Sequence, residues 1–250
     1  MKVISICNIK GGVGKSTVAI NLAYELSKFA NTLIIDNDSQ SNVTQVLLPD
    51  EVFEETLYNI YTNKELEFTD VIYQVQERLY VVPNEIKSAK LDRELVSAYN
   101  RERILKNKLD TLPKNFFSFV IIDNTPALNI TLENSIVASD YHLIVVDNSS
   151  SSLQGYNMIM EMVNELRSQR ISESTLLGVL RNRFDKKANF TKAFNETLEE
   201  SLGDKLFSTI IYDSVKYKES IALNMPIHLH SSAYGIPYNK LVNEIKERMK

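Results

Sequence analysis

The chain of 250 residues holds a single cysteine, Cys7. It can form neither an intramolecular disulfide framework nor a thiolate metal cluster within one chain, and a reducing cytoplasm fits that usage. Positive charge is not in excess, because 28 Lys and Arg stand against 32 Asp and Glu, a formal net charge of −4. A uniformly basic nucleic-acid binder is thereby excluded, so any DNA binding must be local. Long apolar runs are missing too: the N-terminal Met1-Lys2-Val3-Ile4-Ser5-Ile6 is too short for a signal-peptide core, and no stretch reaches membrane-spanning length. Residues 41–117 contain no internal repeat and no low-complexity linker. What is present is 44% apolar and 24% charged side chains, enough to bury a substantial core as one domain over residues 1–250.

Short β-branched runs recur along the chain. Val3–Cys7, Thr32–Ile35, Leu79–Val82, Phe119–Ile122, His142–Val146 and Leu176–Leu180 read as buried strands, and Leu206–Ile211 as one more. Between them, Ala19, Leu22, Ala23, Leu26 and Phe29 recur at helical spacing, predicting a helix over 16–29. Further helices are expected around 90–110, over 155–168 and over 238–249, the last with Tyr238, Leu241, Val242, Ile245 and Met249 on one face. Such alternation specifies an α/β fold: an open, mainly parallel twisted sheet flanked by helices and joined by right-handed crossovers.

The first strand runs into Ile9-Lys10-Gly11-Gly12-Val13-Gly14-Lys15-Ser16-Thr17. A loop that grips phosphate needs glycines so that its amides converge without Cβ obstruction, a lysine for the β- and γ-phosphates, and a hydroxyl for Mg²⁺. Gly11, Gly12 and Gly14 with the Val13 amide meet the first need, Lys15 the second and Ser16 the third, while Thr17 can reach another phosphate. Ile9 stands where the ordinary motif has glycine, and an extra lysine, Lys10, precedes the first glycine.

Lys-Gly-Gly-Val-Gly-Lys-Ser resembles the deviant phosphate loop of the ParA/MinD group of ATPases. Asp36-Asn37-Asp38-Ser39-Gln40-Ser41-Asn42-Val43-Thr44 is similar to the second signature of that group, with serines replacing proline and glycine, and Phe119–Ala127 to its third. Thr56-Leu57-Tyr58, Pro83-Asn84, Arg101-Glu102, Lys218-Glu219-Ser220 and Met225-Pro226-Ile227 extend the likeness to chromosomal (Soj-like) and plasmid ParA proteins nearly end to end. The resemblance implies a Mg²⁺-dependent ATPase of plasmid or chromosome partition. Its ATP-bound sandwich homodimer would bind DNA nonspecifically and be released by hydrolysis that a ParB-like centromere-binding partner stimulates, in the cytoplasm on the nucleoid. It also implies that Asp38 positions or activates water, that Asp123 lies on the Mg²⁺ side through water, and that Lys10 reaches phosphate in the partner subunit. Asn182 and Asp213 would border adenine, and either is equally readable as a loop cap. Asn124 and Thr125 follow Asp123 where a glutamate base would sit, so slow hydrolysis is expected.

Two departures stand out: Asp147 replaces a common proline, and the run Ser149-Ser150-Ser151-Ser152 replaces aromatic or acidic residues, leaving a loop with a helix cap as the plain reading. Candidates for contact with DNA phosphates are Arg181, Arg183, Lys186, Lys187, Lys192, Lys205, Lys216 and Lys218, interrupted by Asp185, Glu196, Glu199 and Glu200. The chief rival is a MinD-like ATPase positioned on a membrane by a C-terminal amphipathic helix. Leu241, Val242, Ile245 and Met249 form an apolar stripe there, but bulky aromatics are missing from the final turns, and no membrane contact is expected. An iron protein of the nitrogenase type would need two cluster cysteines, and a tyrosine kinase of this fold a tyrosine-rich tail. With the loop beginning at residue 9, the longer plasmid type with a preceding DNA-binding domain is not expected either.

Overall fold

The computed structural model describes residues 1–113, 115–185 and 189–250. Among these, eight strands build one sheet: β1 (Lys2–Cys7), β2 (Thr32–Asn37), β3 (Tyr73–Gln76), β4 (Leu79–Val82), β5 (Phe119–Asn124), β6 (Tyr141–Val146), β7 (Thr175–Phe184) and β8 (Leu206–Tyr212). Their order is β3-β4-β2-β5-β1-β6-β7-β8, parallel throughout except for the β3–β4 edge pair. The flanking helices are α1 (Lys15–Ser27), α2 (Asn42–Leu47), α3 (Leu57–Thr62), α4 (Leu91–Glu94), α5 (Ile104–Leu109), α6 (Ile130–Ala138), α7 (Ser150–Ser168), α8 (Asn189–Leu202), α9 (Val215–Ala222), α10 (Ile227–His230) and α11 (Ser232–Arg248).

The period-two alternation of strand side chains divides the core into layers. Ile4 and Ile6, with Ile34, Ile121, Leu143 and Val145, face α1 and α11. Val3, Leu33, Ile35, Val120 and Ile122 point the other way, toward α3 and α5. Cys7, Ile144, Val146 and Val179 pack with α6, α7 and α8. Both faces are covered, which is why the strands read as unbroken apolar runs. Tyr238, Leu241, Val242 and Ile245 of α11 are fully buried in the first layer, so the stripe that a lipid-binding helix would need is spent on the core. No helix among the described residues is long and apolar enough to cross a membrane.

Four expectations are corrected. The charged helix around 90–110 is instead two short ones, because Leu91 and Leu95 bury as one turn and Leu105 and Leu109 as another, with left-handed Asn100 between them. Phe29 lies beyond the end of α1, 52% exposed, under the Lys246 ammonium. α7 begins at Ser150, so the serine run is a cap and first turn: Ser149 Oγ accepts from the Ser152 amide. α11 begins at Ser232 and carries Pro237 within it.

Candidate active site

β1 lies centrally, with β5 on one side and β6 on the other, so the chain order reverses at its C-terminal end. Ligands of open α/β sheets bind at such switch points, and the glycine loop begins there. Gly14 caps α1 in a left-handed conformation (φ 91°), and a Cβ on it would collide with the Asn182 amide. Glycine is therefore required at this position on both backbone and steric grounds. The loop carbonyls are held from β7: Asn182 Nδ2 donates to Val13 O at 2.7 Å, and Arg183 Nη1 to Gly12 O at 2.5 Å. A β-bulge between Asn182 and Phe184 puts Arg183 in the left-handed region (φ 58°) and turns its side chain to the loop.

Lys15 is only 6% exposed, with Nζ donating to Lys10 O at 3.4 Å. Burial pushes its pKa down, and the carboxylates of Asp123 and Asp38 pull it back. Parallel pairing sets Asp36 beside Asp123 and Asn37 beside Asn124. Asp123 is fully buried, and neither carboxylate oxygen has a hydrogen-bond partner of good geometry among the described residues. Burial pushes its pKa up, the Asp36 charge adds to this, and Ser16 and Lys15 oppose it. An orphaned carboxylate next to the phosphate loop fits a site completed by a cation, because burying such a group unpaired is costly.

Asp38 is buried, and its Oδ1 accepts from the Gln40 amide at 3.0 Å. Its neighbour Asp36 is a structural tie between β2 and α2, since Oδ2 accepts from the Thr44 amide at 2.8 Å and the Thr44 hydroxyl at 2.7 Å. Burial raises the Asp36 pKa to about 6 against these bonds. Asn84 completes the clamp, donating its backbone N–H to Thr44 Oγ1 and its side-chain amide to Asp38 O. Asn124 is committed to a buried network, donating to Ser5 Oγ and Ile6 O and accepting from Asn37, so it is not placed to serve as a base.

On the outer side of the loop, Lys10 Nζ lies 2.5 Å from Asp147 Oδ2 and 2.8 Å from Ser149 Oγ. Asn8 anchors this corner: Oδ1 accepts from the Lys10 amide, and Nδ2 donates to Val145 O and Ser152 O. Gly155 allows that approach, since a Cβ there would strike Asn8 Oδ1. Sequence reading missed Asn8 and the loop-holding role of Arg183, and named Asn84 only as part of the family likeness; Asn8 directly follows β1 and Asn84 follows β4 after Pro83, and a polar residue at a strand end is the one signal available.

Two cavities open beside the loop. One of about 350 Å³ lies against Gly14, Thr17, Asn182, Asp213, Tyr217 and Ile221, bringing both adenine candidates to one mostly apolar hollow. The other, of about 910 Å³, spreads in front of Lys10, Gly11, Gly12, Asp147 and Tyr234.

The basic candidates separate. Arg181 is 5% exposed and committed to Glu199, Asn195 and Phe207 O, so it is withdrawn from any DNA-facing patch. Arg183 belongs to the loop and to Asp213, 3.4 Å away. Lys216 pairs with Glu219, while Lys192, Lys205 and Lys218 are exposed. Lys186 and Lys187 lie outside the described residues.

Residues 1–178 match the family model described as an AAA domain. The chain is 30% identical over 232 residues to the sporulation initiation inhibitor protein Soj of Bacillus subtilis, covering 92% of this chain and 91% of that one. Among solved structures it is similar to apo McdA of Cyanothece, with TM-score 0.88 and 25% identity over the whole of both chains. It is also similar to a plasmid partition protein of Borrelia burgdorferi bound to AMPPNP, with TM-score 0.86 and 24% identity over 99% of each chain. The glycine loop with its two lysines, the Asp36–Thr44 clamp and this end-to-end likeness agree, and the chain belongs to the ParA/Soj family of partition ATPases.

Proposed function

We propose that the chain binds ATP with Mg²⁺, forms an ATP-dependent sandwich homodimer, binds DNA nonspecifically in that state and is released by hydrolysis that a ParB-like partner stimulates, in the cytoplasm on the nucleoid. The observation that carries this reading is the glycine loop between β1 and α1, where buried Lys15 lies in the field of Asp38 and of the partnerless Asp123. Phosphoryl transfer depends on neutralised charge and an oriented water, and these residues suit both needs. The amides of Gly11–Thr17 and the Lys15 ammonium hold the phosphates. Ser16 and Asp123, through water, would hold Mg²⁺, which when bound neutralises charge on the phosphates. Among the described residues no group of three His, Cys, Asp or Glu side chains is arranged to hold a metal ion, so most of its ligands would be phosphate and water. Asp38 positions the attacking water, Lys10 reaches the partner's phosphates, and Asn182 and Asp213 border adenine in the smaller cavity. Turnover is slow, because Asn124 stands where a carboxylate base would follow Asp123. The DNA-facing cations are drawn from Lys192, Lys205, Lys216 and Lys218, with Lys186 and Lys187 as candidates on sequence alone.

DNA retention with ATP, with ADP and without nucleotide tests this reading. Binding with ATP alone is the expected result. No binding with ATP, together with capture by anionic vesicles, would overturn it in favour of a MinD-like positioning ATPase.

A further inference from the structure

Asp36 and Asp123 are paired in register on β2 and β5, and the next and last pair of that ladder is Asn37 with Asn124. Strand alternation turns these two amides to the opposite face of the sheet, the face of Ile35 and Ile122, where both are buried. There they bond to each other, Asn37 Nδ2 donating to Asn124 Oδ1 at 2.9 Å. Asn124 Nδ2 donates in turn to Ser5 Oγ at 2.8 Å and to Ile6 O at 3.0 Å, both on β1. Two amides thus join three strand ends: β1, which enters the glycine loop, β2, which leads into Asp38, and β5, which carries Asp123. Two helices back them. The Tyr61 hydroxyl of α3 donates to Asn37 Oδ1 at 3.1 Å, Asn37 Nδ2 also donates to Thr131 O of α6 at 2.9 Å, and Ser5 Oγ lies 2.7 Å from Ser135 Oγ of α6. None of these residues has a buried side-chain nitrogen or oxygen without a partner, whereas both oxygens of Asp123, one position away, lack one.

We propose that Asn37 and Asn124 are positioning residues, a clasp that holds the ends of β1, β2 and β5 at the separation from which the glycine loop and Asp123 can share one nucleotide-bound Mg²⁺. This rests on the proposed function, in which Ser16 and Asp123 hold that ion. Stability alone does not account for the clasp, because a buried hydrogen bond replaces one to water and gains little over apolar packing of the same shape. What a fully satisfied network adds is a single geometry. The ion has ligands from two strand ends, so it depends on their spacing; the phosphates are gripped within one loop and do not.

Titration of a fluorescent, non-hydrolysable ATP analogue at low chain concentration, in Mg²⁺ and in EDTA, tests the clasp. The chains compared are the unsubstituted one, Asn37→Leu/Asn124→Leu/Tyr61→Phe, which removes both amides with the hydroxyl that depends on them, and Tyr61→Phe alone. For the triple variant, affinity in EDTA should stay within about twofold of the unsubstituted chain while affinity in Mg²⁺ falls about tenfold; general damage to the site would weaken both alike. Tyr61→Phe keeps the bond between the amides and should lose about two- to threefold, again in Mg²⁺ only. An unchanged affinity of the triple variant in Mg²⁺, or equal losses in the two media, overturns the clasp. If the triple variant fails to fold, Tyr61→Phe decides, and an unchanged affinity in Mg²⁺ overturns the proposal. If Mg²⁺ does not tighten binding to the unsubstituted chain, the Mg²⁺ site itself falls, and the clasp with it.

Discussion

Lys10 and Lys15 stand five residues apart on one loop and meet opposite environments. Lys15 opens α1, is nearly inaccessible and sits in the field of Asp123 and Asp38. Lys10 lies on the rim, with 28% of its side chain exposed, and its partners come from the loop after β6. The inner lysine is preorganised and has little freedom; the outer one is held by groups that another anion can replace. Position relative to the end of the sheet, rather than residue type, separates a group that grips a ligand from one that can change partners.

The largest expected effects come from breaking that contrast directly. Lys15→Gln should lower ATP hydrolysis at least about a hundredfold and weaken nucleotide binding by the monomer, whereas Lys10→Ala should leave monomer nucleotide affinity within about twofold. Fluorescent-nucleotide titration and phosphate release read both. If the two substitutions weakened monomer binding equally, the division of the loop would be wrong. Next in size, Asp38→Ala should bind ATP but hydrolyse it about a hundredfold more slowly. Retained turnover would remove Asp38 from its proposed role.

His142 supplies a comparison away from the loop. It is buried at β6, with Nδ1 on Ser174 Oγ, and burial with the Arg167 charge lowers its pKa to about 4. A folded-state pKa below the unfolded value of 6.5 means that the unfolded chain binds more protons between these limits. The associated stability is present above about pH 6.5 and is lost toward pH 4, on the order of 2 kcal/mol. Thermal melts from pH 7 to pH 5 should show His142→Asn losing less stability than the unsubstituted chain.

The smallest pair of effects separates Arg181 from Lys218. Arg181→Met should destabilise the fold by about 1–2 kcal/mol, since Phe207 O loses a buried donor, and leave DNA affinity unchanged. Lys218→Ala should leave the melting temperature unchanged, weaken DNA binding a few-fold and reduce the salt slope by about 1.

Much of the fold was legible because the parallel strands, covered on both faces, must be continuous apolar runs: Val3–Cys7, Phe119–Ile122 and His142–Val146 each fall within observed strands. The loop was legible because its chemistry is local, resting on glycines, a lysine and a hydroxyl close together in the chain. Harder to read were contacts that span the chain. Asn8, whose side-chain amide donates to carbonyls more than 130 residues away, is marked in the sequence only as a polar residue after an apolar strand. Arg181 and Arg183 look alike in sequence, yet strand alternation and one bulge send the first into the protein and the second to the loop. Ser41 stands where the signature has glycine and keeps the left-handed backbone that explains that preference (φ 55°). The charged stretch 90–110 was misread because two separate leucine pairs imitate one helical stripe.

The contrast between the two lysines is tested most directly by a crystal structure of the chain with Mg²⁺ and a non-hydrolysable ATP analogue. The account predicts a two-fold dimer in which Lys15 holds the phosphates of its own subunit, while Lys10 has left Asp147 and meets the phosphates bound by the other copy. A nucleotide-bound dimer with Lys10 still paired to Asp147 would contradict it.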